Sequence, residues 1–385
     1  MIPYGRQDIT PADIQAVVEV CQSDFLTQGP VVPRFEQAVA AYCGADHAVA
    51  VNSATSALHI ACLALGLGPG DWLWTSPITF VASANCALYC GARVDFVDID
   101  PSTFNLSVAA LEDKLRHAEK AGRLPKVLVP VHMGGRPCEM QAIARLSRRY
   151  GFKVLEDASH AIGARDQDVP VGACAHSDIT VFSFHPVKII TSAEGGMALT
   201  RDAALAERMR RLRSHGITRE PTAMTHSPDG PWYYQQVELG FNYRMTEIQA
   251  ALGLSQLSRL DAYIARRQAL AQRYAAQLLE LPIHTPHTRL DTHCAWHLYA
   301  LTLSGPVHGQ RRREVFEQLR AMGIGVQVHY IPVHTQPVYR AMGFADGDFP
   351  MAEDYYRRAL SLPLFAAMRD DEQEAVVRAL RQVLA

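Results

Sequence analysis

One lysine stands in an unusual setting for a cation. Lys188 lies in the stretch SFHPVKIITSAEGG, residues 183–196, where it follows an apolar run and is flanked by a proline, a valine and two isoleucines. A lysine is ordinarily a solvated surface residue. Apolar neighbours would remove water from its amine, and this favours the neutral form that can act as a nucleophile or a base.

A carboxylate is the candidate partner of this lysine. Asp157 closes the run KVLED within KVLEDASHAIG, at the point where a buried strand is expected to meet its loop. The chain between Asp157 and Lys188 has room for one further strand, so both side chains could line the same rim of a sheet. Such a pair suits pyridoxal phosphate, whose aldehyde forms a Schiff base with lysine while an acidic side chain keeps the ring nitrogen protonated. The alternative for Asp157 is a helix N-cap.

A phosphate group needs donors, and the stretch VNSATSALHIACLALG predicts a strand, small hydroxyl residues and then a helix. The backbone N–H groups of Ala54, Thr55 and Ser56 would point outward at the helix start, where the dipole favours an anion. Ser183 could add a hydroxyl, and Phe80 could stack on an aromatic ring. Each residue has an ordinary alternative, because Ser and Thr cap many helices and a phenylalanine is commonly part of a core.

The elements that must position these residues follow a regular alternation. Short apolar runs (HAVAVN, WLWTS, RVDFVD, KVLVPV, KVLED) alternate with helical patterns such as ATSALHIACLALG and CEMQAIARLSRRYG. This order is typical of an α/β protein whose mostly parallel sheet is covered by helices on both faces. Ligands of such sheets collect at the carboxyl ends of the strands.

Beyond the alternating region we predict a second lobe. The stretch 240–278 has a long helical pattern and is expected to be one connector helix, and HLYALTL, RRREVFEQLRAMG and GVQVHY predict a strand, a helix and a strand. We therefore divide the chain into a large domain with an N-terminal arm, residues 1–250, and a small α+β domain, residues 251–385. The polar stretch 219–234 is expected to be a mobile loop.

Composition excludes several classes of function. The 385 residues carry 37 basic and 39 acidic side chains, so no overall field favours nucleic acid or an anionic membrane. The eight cysteines form no CxxC pair, which argues against a zinc site or a disulfide framework, and no metal site is predicted. Neither a signal pattern nor an uncharged apolar run of membrane-spanning length is present, so we expect a cytoplasmic protein.

The motifs taken together resemble the DegT/DnrJ/EryC1/StrS family of sugar aminotransferases, within the fold-type I pyridoxal-phosphate enzymes. The resemblance covers nearly the whole chain, through SDFLTQGPVVPRFE, VNSATSALHIA, TSPITFVASAN, EDASHAIGA, FSFHPVKIITSAEGG, GFNYRMTEIQAALGLSQL and GVQVHYIPVH in that order. It implies an aspartate-aminotransferase-like fold with a seven-stranded sheet domain and a smaller C-terminal domain.

The resemblance also implies roles for individual residues. Lys188 would form the Schiff base with pyridoxal 5′-phosphate, Asp157 would hold the ring nitrogen, and His160 would lie beside the ring and its phenolic oxygen. Asn242 would reach the cofactor of a neighbouring subunit, so a homodimer with shared active sites is implied. The phosphate and ring contacts would be Ala54, Thr55, Ser183 and Phe80.

Within the family, the motifs look closest to members that aminate C4 of a UDP-linked 4-keto-6-deoxy-N-acetylhexosamine on the route to pseudaminic acid, with L-glutamate as donor. A different nucleotide-linked keto-sugar, or a role as a non-catalytic cofactor-binding regulator, is the alternative. Lys188 argues against a related dehydratase, which has histidine at that position. A cysteine desulfurase is also disfavoured, because no cysteine of this chain lies on a Gly/Ser-rich loop. By the same likeness the substrate contacts would be Tyr4, Leu26, Thr27, Gln28, Gly29, Ser56, Ser183, Asn242, His329, Tyr330, Ile331 and Pro332.

Overall fold

The computed structural model describes residues 1–289, 291–305 and 311–385. Helices are α1 Pro11–Cys21, α2 Val31–Cys43, α3 Ala54–Ala64, α4 Ala82–Tyr89, α5 Val108–Ala121, α6 Met140–Tyr150, α7 Ala203–Arg213, α8 Glu247–Leu257, α9 Leu260–Gln277, α10 Arg312–Ala321, α11 Pro337–Arg340, α12 Pro350–Arg358 and α13 Asp370–Leu384. Strands are β1 His47–Val51, β2 Trp72–Thr75, β3 Arg93–Phe96, β4 Val127–Val129, β5 Lys153–Asp157, β6 Arg165–Asp166, β7 Val169–Pro170, β8 Ile179–Ser183, β9 Gly196–Thr200, β10 Ile217–Thr218, β11 Gln235–Gln236, β12 Ile283–His284, β13 Thr292–His293, β14 Tyr299–Leu303 and β15 Ala359–Leu362.

The predicted large sheet is confirmed and has seven strands in the order β1-β9-β8-β5-β4-β2-β3. All neighbouring pairs are parallel except those of β9, which runs antiparallel to β1 and β8. Strands such as β8 and β9 are buried at every position, because helices cover both faces of the sheet. The parallel strands β5 and β8 therefore end at one edge.

The C-terminal region forms a three-stranded sheet in the order β12-β14-β15. The prediction of a strand over GVQVHY was wrong. In that stretch Gln327 makes an isolated bridge to Ser361 of β15, and Ile324 just before it makes one to Ile2. Because Gln327 alone is bridged to β15, residues 325–330 form no ladder with that strand. We call this segment the strap; it carries His329 and Tyr330 towards the large sheet.

The predicted single connector helix was also wrong, because the structure divides it into α8 and α9. The break lies at Ser258 and Arg259, where Ser258 bonds back to the carbonyl of Ser255 at 2.7 Å and Arg259 turns its side chain towards the N-terminal arm. The stretch 219–234 contains a short 3-10 turn at Pro221–Ala223 and internal hydrogen bonds, among them His226 to Tyr233 at 2.6 Å.

A buried carboxylate fastens the N-terminal arm to the break between α8 and α9. Asp13 of α1 is fully buried and accepts hydrogen bonds from Ser255 at 2.6 Å, Gln256 at 2.9 Å and Arg259 at 2.6 Å. Burial raises the pKa of Asp13, but the hydrogen bonds from Arg259, Ser255 and the Thr10 backbone outweigh this and lower it to about 2. The arm is therefore held by an ionised group.

The cysteines are mostly buried among apolar side chains. All eight are free, and seven are buried; Cys21 is exposed. No helix in the described part of the chain is both long and apolar enough to cross a bilayer.

Candidate active site

A cavity of about 480 Å³ opens where β5 and β8 end. Its wall combines the edge of the large sheet and the start of α3 with His329 and Tyr330 of the strap. A volume in this range suits a cofactor or a small ligand. Ten residues that were predicted from sequence line it together: Tyr4, Ala54, Thr55, Phe80, Asp157, His160, Ser183, Lys188, His329 and Tyr330.

Lys188 lies in the turn that follows β8. Its backbone N–H donates to the carbonyl of His185 at 2.8 Å, which fixes the turn and directs the side chain along the cavity wall. Burial lowers the pKa of its amine to about 8, although the nearby Asp157 carboxylate opposes this shift. About a tenth of the amine is therefore neutral at pH 7, whereas an ordinary lysine of pKa about 10.4 has less than about a thousandth in that form.

Asp157 is the last residue of β5, and both of its carboxylate oxygens are held. Oδ1 accepts from the backbone N–H of Ser159 at 3.1 Å, and Oδ2 accepts from the hydroxyl of Ser83 at 2.6 Å. The side chain is 5% exposed. A rigid carboxylate whose remaining lone pairs face the cavity can accept a hydrogen bond from a ligand N–H.

The start of α3 lies at one end of the cavity. Ser53 caps the helix by accepting from the backbone N–H of Ser56 at 3.1 Å, and the preceding turn brings Ala54 and Thr55 to the cavity. The first N–H groups of a helix have no acceptor within it. A Cβ on Gly196 of β9 would lie 2.5 Å from the nitrogen of Ala54, so this glycine permits the close approach of the helix start to the sheet.

His160 connects the sheet edge to the strap. Its Nδ1 accepts from the backbone N–H of Gly134 at 3.3 Å, and its Nε2 lies 3.1 Å from the hydroxyl of Tyr330. Burial, followed by the positive charge of Lys188, lowers the pKa of His160 well below its ordinary value. The imidazole is therefore neutral.

Several residues of the site were not predicted from the sequence. Ser53, Thr79, Ser159, His185 and Glu194 line the cavity, and Ser83 reaches it through Asp157. Glu194 lies six positions after Lys188 in the quoted motif, which is a signal that could have identified it. Ser83 lies in an apolar helix, and its partner is remote in the chain, so no local pattern distinguishes it.

Other predicted residues lie outside the lining of this cavity. Ser56 is buried and its hydroxyl donates to Asn52 at 2.6 Å, and Asn242 is exposed and bridges to Ser214. Contacts of these residues with a ligand stay predictions. The same holds for the remaining predicted substrate contacts, Leu26, Thr27, Gln28, Gly29, Ile331 and Pro332.

The segment that contains Leu26 is anchored beside α8. The carbonyl of Leu26 accepts a hydrogen bond from the backbone N–H of Glu247 at 3.0 Å, and Thr27 forms a β-bridge with Thr246. The carboxylate of Glu247 in turn accepts from the N–H of Val31 at 2.6 Å at the start of α2. The segment 26–29 is thus held beside α8, and its residues do not line the chain's own cavity.

The charges of the cavity wall are sparse. Among the described residues that line it, Lys188 is the only lysine and no arginine occurs. Within the described ranges no cluster of three or more His, Cys, Asp or Glu side chains could hold a metal ion. The cavity therefore offers one amine, one held carboxylate, a helix start and an aromatic cover from Phe80, and this set fits pyridoxal phosphate.

Comparison with known proteins agrees with this chemistry. The model of the DegT/DnrJ/EryC1/StrS aminotransferase family matches residues 7–381. The spore coat polysaccharide biosynthesis protein SpsC of Bacillus subtilis is 41% identical over 386 residues, which span 100% of this chain and 97% of SpsC.

Solved structures have the same fold over their full length. PseC of Helicobacter pylori, an aminotransferase involved in the biosynthesis of pseudoaminic acid, superposes with a TM-score of 0.90 at 30% identity, covering 100% of this chain and 99% of PseC. The putative sugar aminotransferase Spr1654 of Streptococcus pneumoniae in its PMP form also gives a TM-score of 0.90, at 28% identity, with 100% and 99% of the two chains covered. Both similarities extend across the two lobes that enclose the cavity.

Proposed function

The chain belongs to the DegT/DnrJ/EryC1/StrS aminotransferase family, and from that premise we propose that it transfers an amino group from L-glutamate to C4 of a UDP-linked 4-keto-6-deoxy-N-acetylhexosamine. The family and its solved members show a sugar aminotransferase with pyridoxal phosphate as cofactor. The nucleotide, the sugar and the attacked carbon are what we propose.

The observation that carries the proposal is the enclosed amine of Lys188 beside the held carboxylate of Asp157 in one cavity. Bound pyridoxal phosphate supplies an aldehyde and an electron-accepting ring. Lys188 would attack that aldehyde through the neutral form of its Nζ, which burial favours, and Asp157 would keep the ring nitrogen protonated by a charge-assisted hydrogen bond. The N–H groups at the start of α3 hold the phosphate.

Lys188 has a second task in the proposed reaction. When its Nζ is not bonded to the cofactor, it would move the proton from the carbon that bears the donor's amine to the cofactor, and in the second half-reaction it would move a proton from the cofactor to the sugar carbon. A pKa of about 8 suits such an exchange near neutral pH. Proximity makes the transfer efficient, because Nζ is tethered beside the reacting carbon.

The choice of substrate rests on likeness. PseC is described as acting in pseudoaminic acid biosynthesis, and IPYG, LTQG, TSPITFVASAN, FSFH and QVHYIPVH are the motifs that resemble members with this substrate. The higher identity to a spore coat polysaccharide protein supports the second candidate, an aminotransferase for a different nucleotide-linked keto-sugar, dTDP- or GDP-linked and aminated at C3 or C4.

We also propose that two copies of the chain share their active sites. A nucleotide sugar and glutamate both carry negative charge, yet Lys188 is the single lysine and no arginine lines the described cavity wall. Asn242 and the segment 26–29 lie outside that wall. In a two-fold dimer each copy would present these residues to the cavity of the other copy.

One assay tests the proposed function. The cofactor-loaded protein is incubated with L-glutamate and a panel of UDP-, dTDP- and GDP-linked keto-sugars, and products are identified by mass spectrometry and NMR. We expect a 4-amino product from the UDP-linked 4-keto-6-deoxy-N-acetylhexosamine. Preference for a dTDP- or GDP-linked sugar would support the second candidate, and a protein that binds the cofactor but turns over no sugar would indicate a regulator.

A further inference from the structure

His132 is fully buried and does not line the cavity, yet its backbone binds a residue that does. Its N–H donates to the carbonyl of Asp157 at 3.1 Å, and the N–H of Asp157 donates to the carbonyl of Pro130 at 2.9 Å. These two bonds hold the end of β5, from which the Asp157 side chain reaches the cavity.

One ring nitrogen of His132 is bound to the neighbour of Asp157 in β5. Nε2 lies 2.7 Å from Oε2 of Glu156, which is buried. Successive side chains of a strand point to opposite faces of the sheet, so Glu156 faces away from the cavity that Asp157 lines. Its Oε1 accepts hydrogen bonds from the hydroxyls of Ser177 and Thr180. The backbone and the side chain of His132 thus fix two successive residues at the end of β5.

The other ring nitrogen of His132 holds the loop 133–138. The backbone N–H of Cys138 donates to Nδ1 at 3.0 Å. Within the same loop the N–H of Gly134 donates at 3.3 Å to Nδ1 of His160, which lines the cavity. His132 is therefore connected to the cavity on two sides.

These contacts require a neutral imidazole with its hydrogen on Nε2. A backbone N–H is always a donor, so Nδ1 of His132 must offer a lone pair to Cys138, and Nε2–H donates to Glu156. Burial raises the pKa of Glu156, but the hydrogen bonds from His132 and two hydroxyls outweigh this and lower it, so the carboxylate is ionised. Burial lowers the pKa of His132, and its interactions with Cys138 and Glu156 raise it above the ordinary value. A second hydrogen would have to lie on Nδ1, where it would face the N–H of Cys138, and we therefore assign the neutral ring.

We propose that His132 is a positioning residue for the cofactor: it fixes Asp157 through Glu156 and the backbone, and it fixes His160 through the loop that Nδ1 holds. A displacement of Asp157 or His160 would lengthen a contact with the cofactor ring and weaken its binding. This role rests on the proposed function, which places the ring at these two residues.

The first test reads the state of the His132 ring without any turnover. The full-length, cofactor-free protein is labelled with nitrogen-15 at its histidines, and His132 is assigned in NMR spectra by comparison with His132→Asn. We expect a neutral ring at pH 7, with a hydrogen on Nε2 and none on Nδ1. A charged ring, or a hydrogen on Nδ1, would overturn the proposal, because Nδ1 could not then hold the loop.

The second test separates the two ring nitrogens by substitution. His132→Asn keeps an acceptor near the position of Nδ1 and loses the donor to Glu156, whereas His132→Gln keeps a donor near the position of Nε2 and loses the acceptor for Cys138. The probe is pyridoxamine phosphate, which has no aldehyde to bond with Lys188, and its dissociation constant is measured by fluorescence. Each variant should bind it about tenfold more weakly than the wild type, the size of one lost hydrogen bond.

Double variants distinguish positioning from a general loss of structure. If His132 acts through Asp157, His132→Asn should weaken binding by less than about twofold when Asp157→Asn is already present. His132→Gln should likewise lose its effect in His160→Ala. An undiminished effect in either background contradicts the proposal, since His132 would then act on the fold as a whole.

His334→Gln is the matched control, because His334 is a fully buried histidine 3.1 Å from the carboxylate of Glu353 and does not line the cavity. It should lower the free energy of unfolding as the His132 variants do, but leave the binding of pyridoxamine phosphate unchanged. Equal weakening by His334→Gln and His132→Gln would rule out a specific role for His132.

Two further outcomes remain decisive. If a His132 variant does not fold, Glu156→Gln takes its place, and it should weaken binding to the same extent and only while Asp157 is present. If the wild-type protein binds pyridoxamine phosphate but aminates no keto-sugar of the panel, the proposed function fails, and the binding measurements still decide the role of His132.

Discussion

Ser83 donates a 2.6 Å hydrogen bond to Oδ2 of Asp157, 74 positions further along the chain. A carboxylate can only accept, so the hydrogen of the Ser83 hydroxyl is committed to it. The neighbouring hydroxyl of Thr79, 2.7 Å away, must then donate to Ser83. This chain of two hydroxyls orients the carboxylate that is proposed to hold the cofactor's ring nitrogen.

Removal of the Ser83 hydroxyl should weaken the site without unfolding it. In Ser83→Ala one oxygen of Asp157 loses its donor while the bond from Ser159 remains, so we expect about a tenfold lower turnover and weaker cofactor binding. Thr79→Val removes only the outer hydroxyl and should cost less. Turnover and cofactor affinity measured together check this. A fully active Ser83→Ala would show that Asp157 does not depend on the serine.

Asp157→Asn keeps the shape of the side chain and removes its charge. Turnover should fall by about 10²-fold or more, because the ring nitrogen loses the group that keeps it protonated. Steady-state kinetics with glutamate and the preferred sugar measure the effect. Near-normal turnover would leave Asp157 as a local cap for the backbone of Ser159.

The capture of cofactor should depend on pH through Lys188. Its folded pKa is lowered to about 8, so the neutral amine that attacks the aldehyde increases as pH rises through that value. We expect the rate of covalent pyridoxal phosphate uptake by the cofactor-free protein to rise with a midpoint near 8. Borohydride trapping and peptide mapping should locate the label on Lys188, and Lys188→Ala should trap none. A midpoint at the ordinary lysine pKa, or another labelled lysine, would contradict the assignment.

The fastening of the N-terminal arm predicts an acid-dependent stability. The pKa of Asp13 is 3.8 in the unfolded chain and about 2 in the fold, so its contribution of about 2 kcal/mol is present above pH 4 and is lost as pH falls through 2. Asp13→Asn should lower the free energy of unfolding by about that amount at pH 7, and the difference should shrink in acid. Urea unfolding at several pH values measures it.

The control for this comparison is Asp113→Asn, an exposed position in α5, which should leave the curve unchanged. If Asp13→Asn differs from the wild type by the same amount at every pH, packing and not charge would explain the loss.

Shared active sites can be tested by mixing two inactive variants. Lys188→Ala and Asn242→Ala are each expected to be inactive, and subunit exchange should restore activity because one site of the mixed dimer carries both defects and the other is intact. If Asn242 acts in its own chain, each mixed site keeps one defect and activity stays absent. If Asn242→Ala is active by itself, Asn242 has no essential role in the site, and the mixing experiment is not needed.

Much of the sheet could be predicted from the sequence because its signals are local. Each buried strand is a short apolar run between turns, and the alternation with helices predicts that parallel strands end at one edge. Asp157 could be recognised because it ends such a run, and Lys188 because it follows one within five residues, since ligands of α/β sheets bind at the carboxyl ends of the strands.

Elements of the second lobe were harder to predict. The stretch GVQVHY has the composition of a strand, but whether it forms one depends on partners far away in sequence, and β15 bridges it only at Gln327. The helical pattern of residues 240–278 is continuous, yet Arg259 is drawn to Asp13 across 246 positions, and the helix breaks there.

The sequence by itself determined the α/β class and indicated that Lys188, Asp157 and the start of α3 line one cavity, because these depend on residues adjacent in the chain. Only the tertiary structure decided that Ser83 orients Asp157 and that Tyr330 meets His160, 170 positions away. The physical reason is that a hydrogen bond depends on distance and direction in space. The packing of the two lobes sets both.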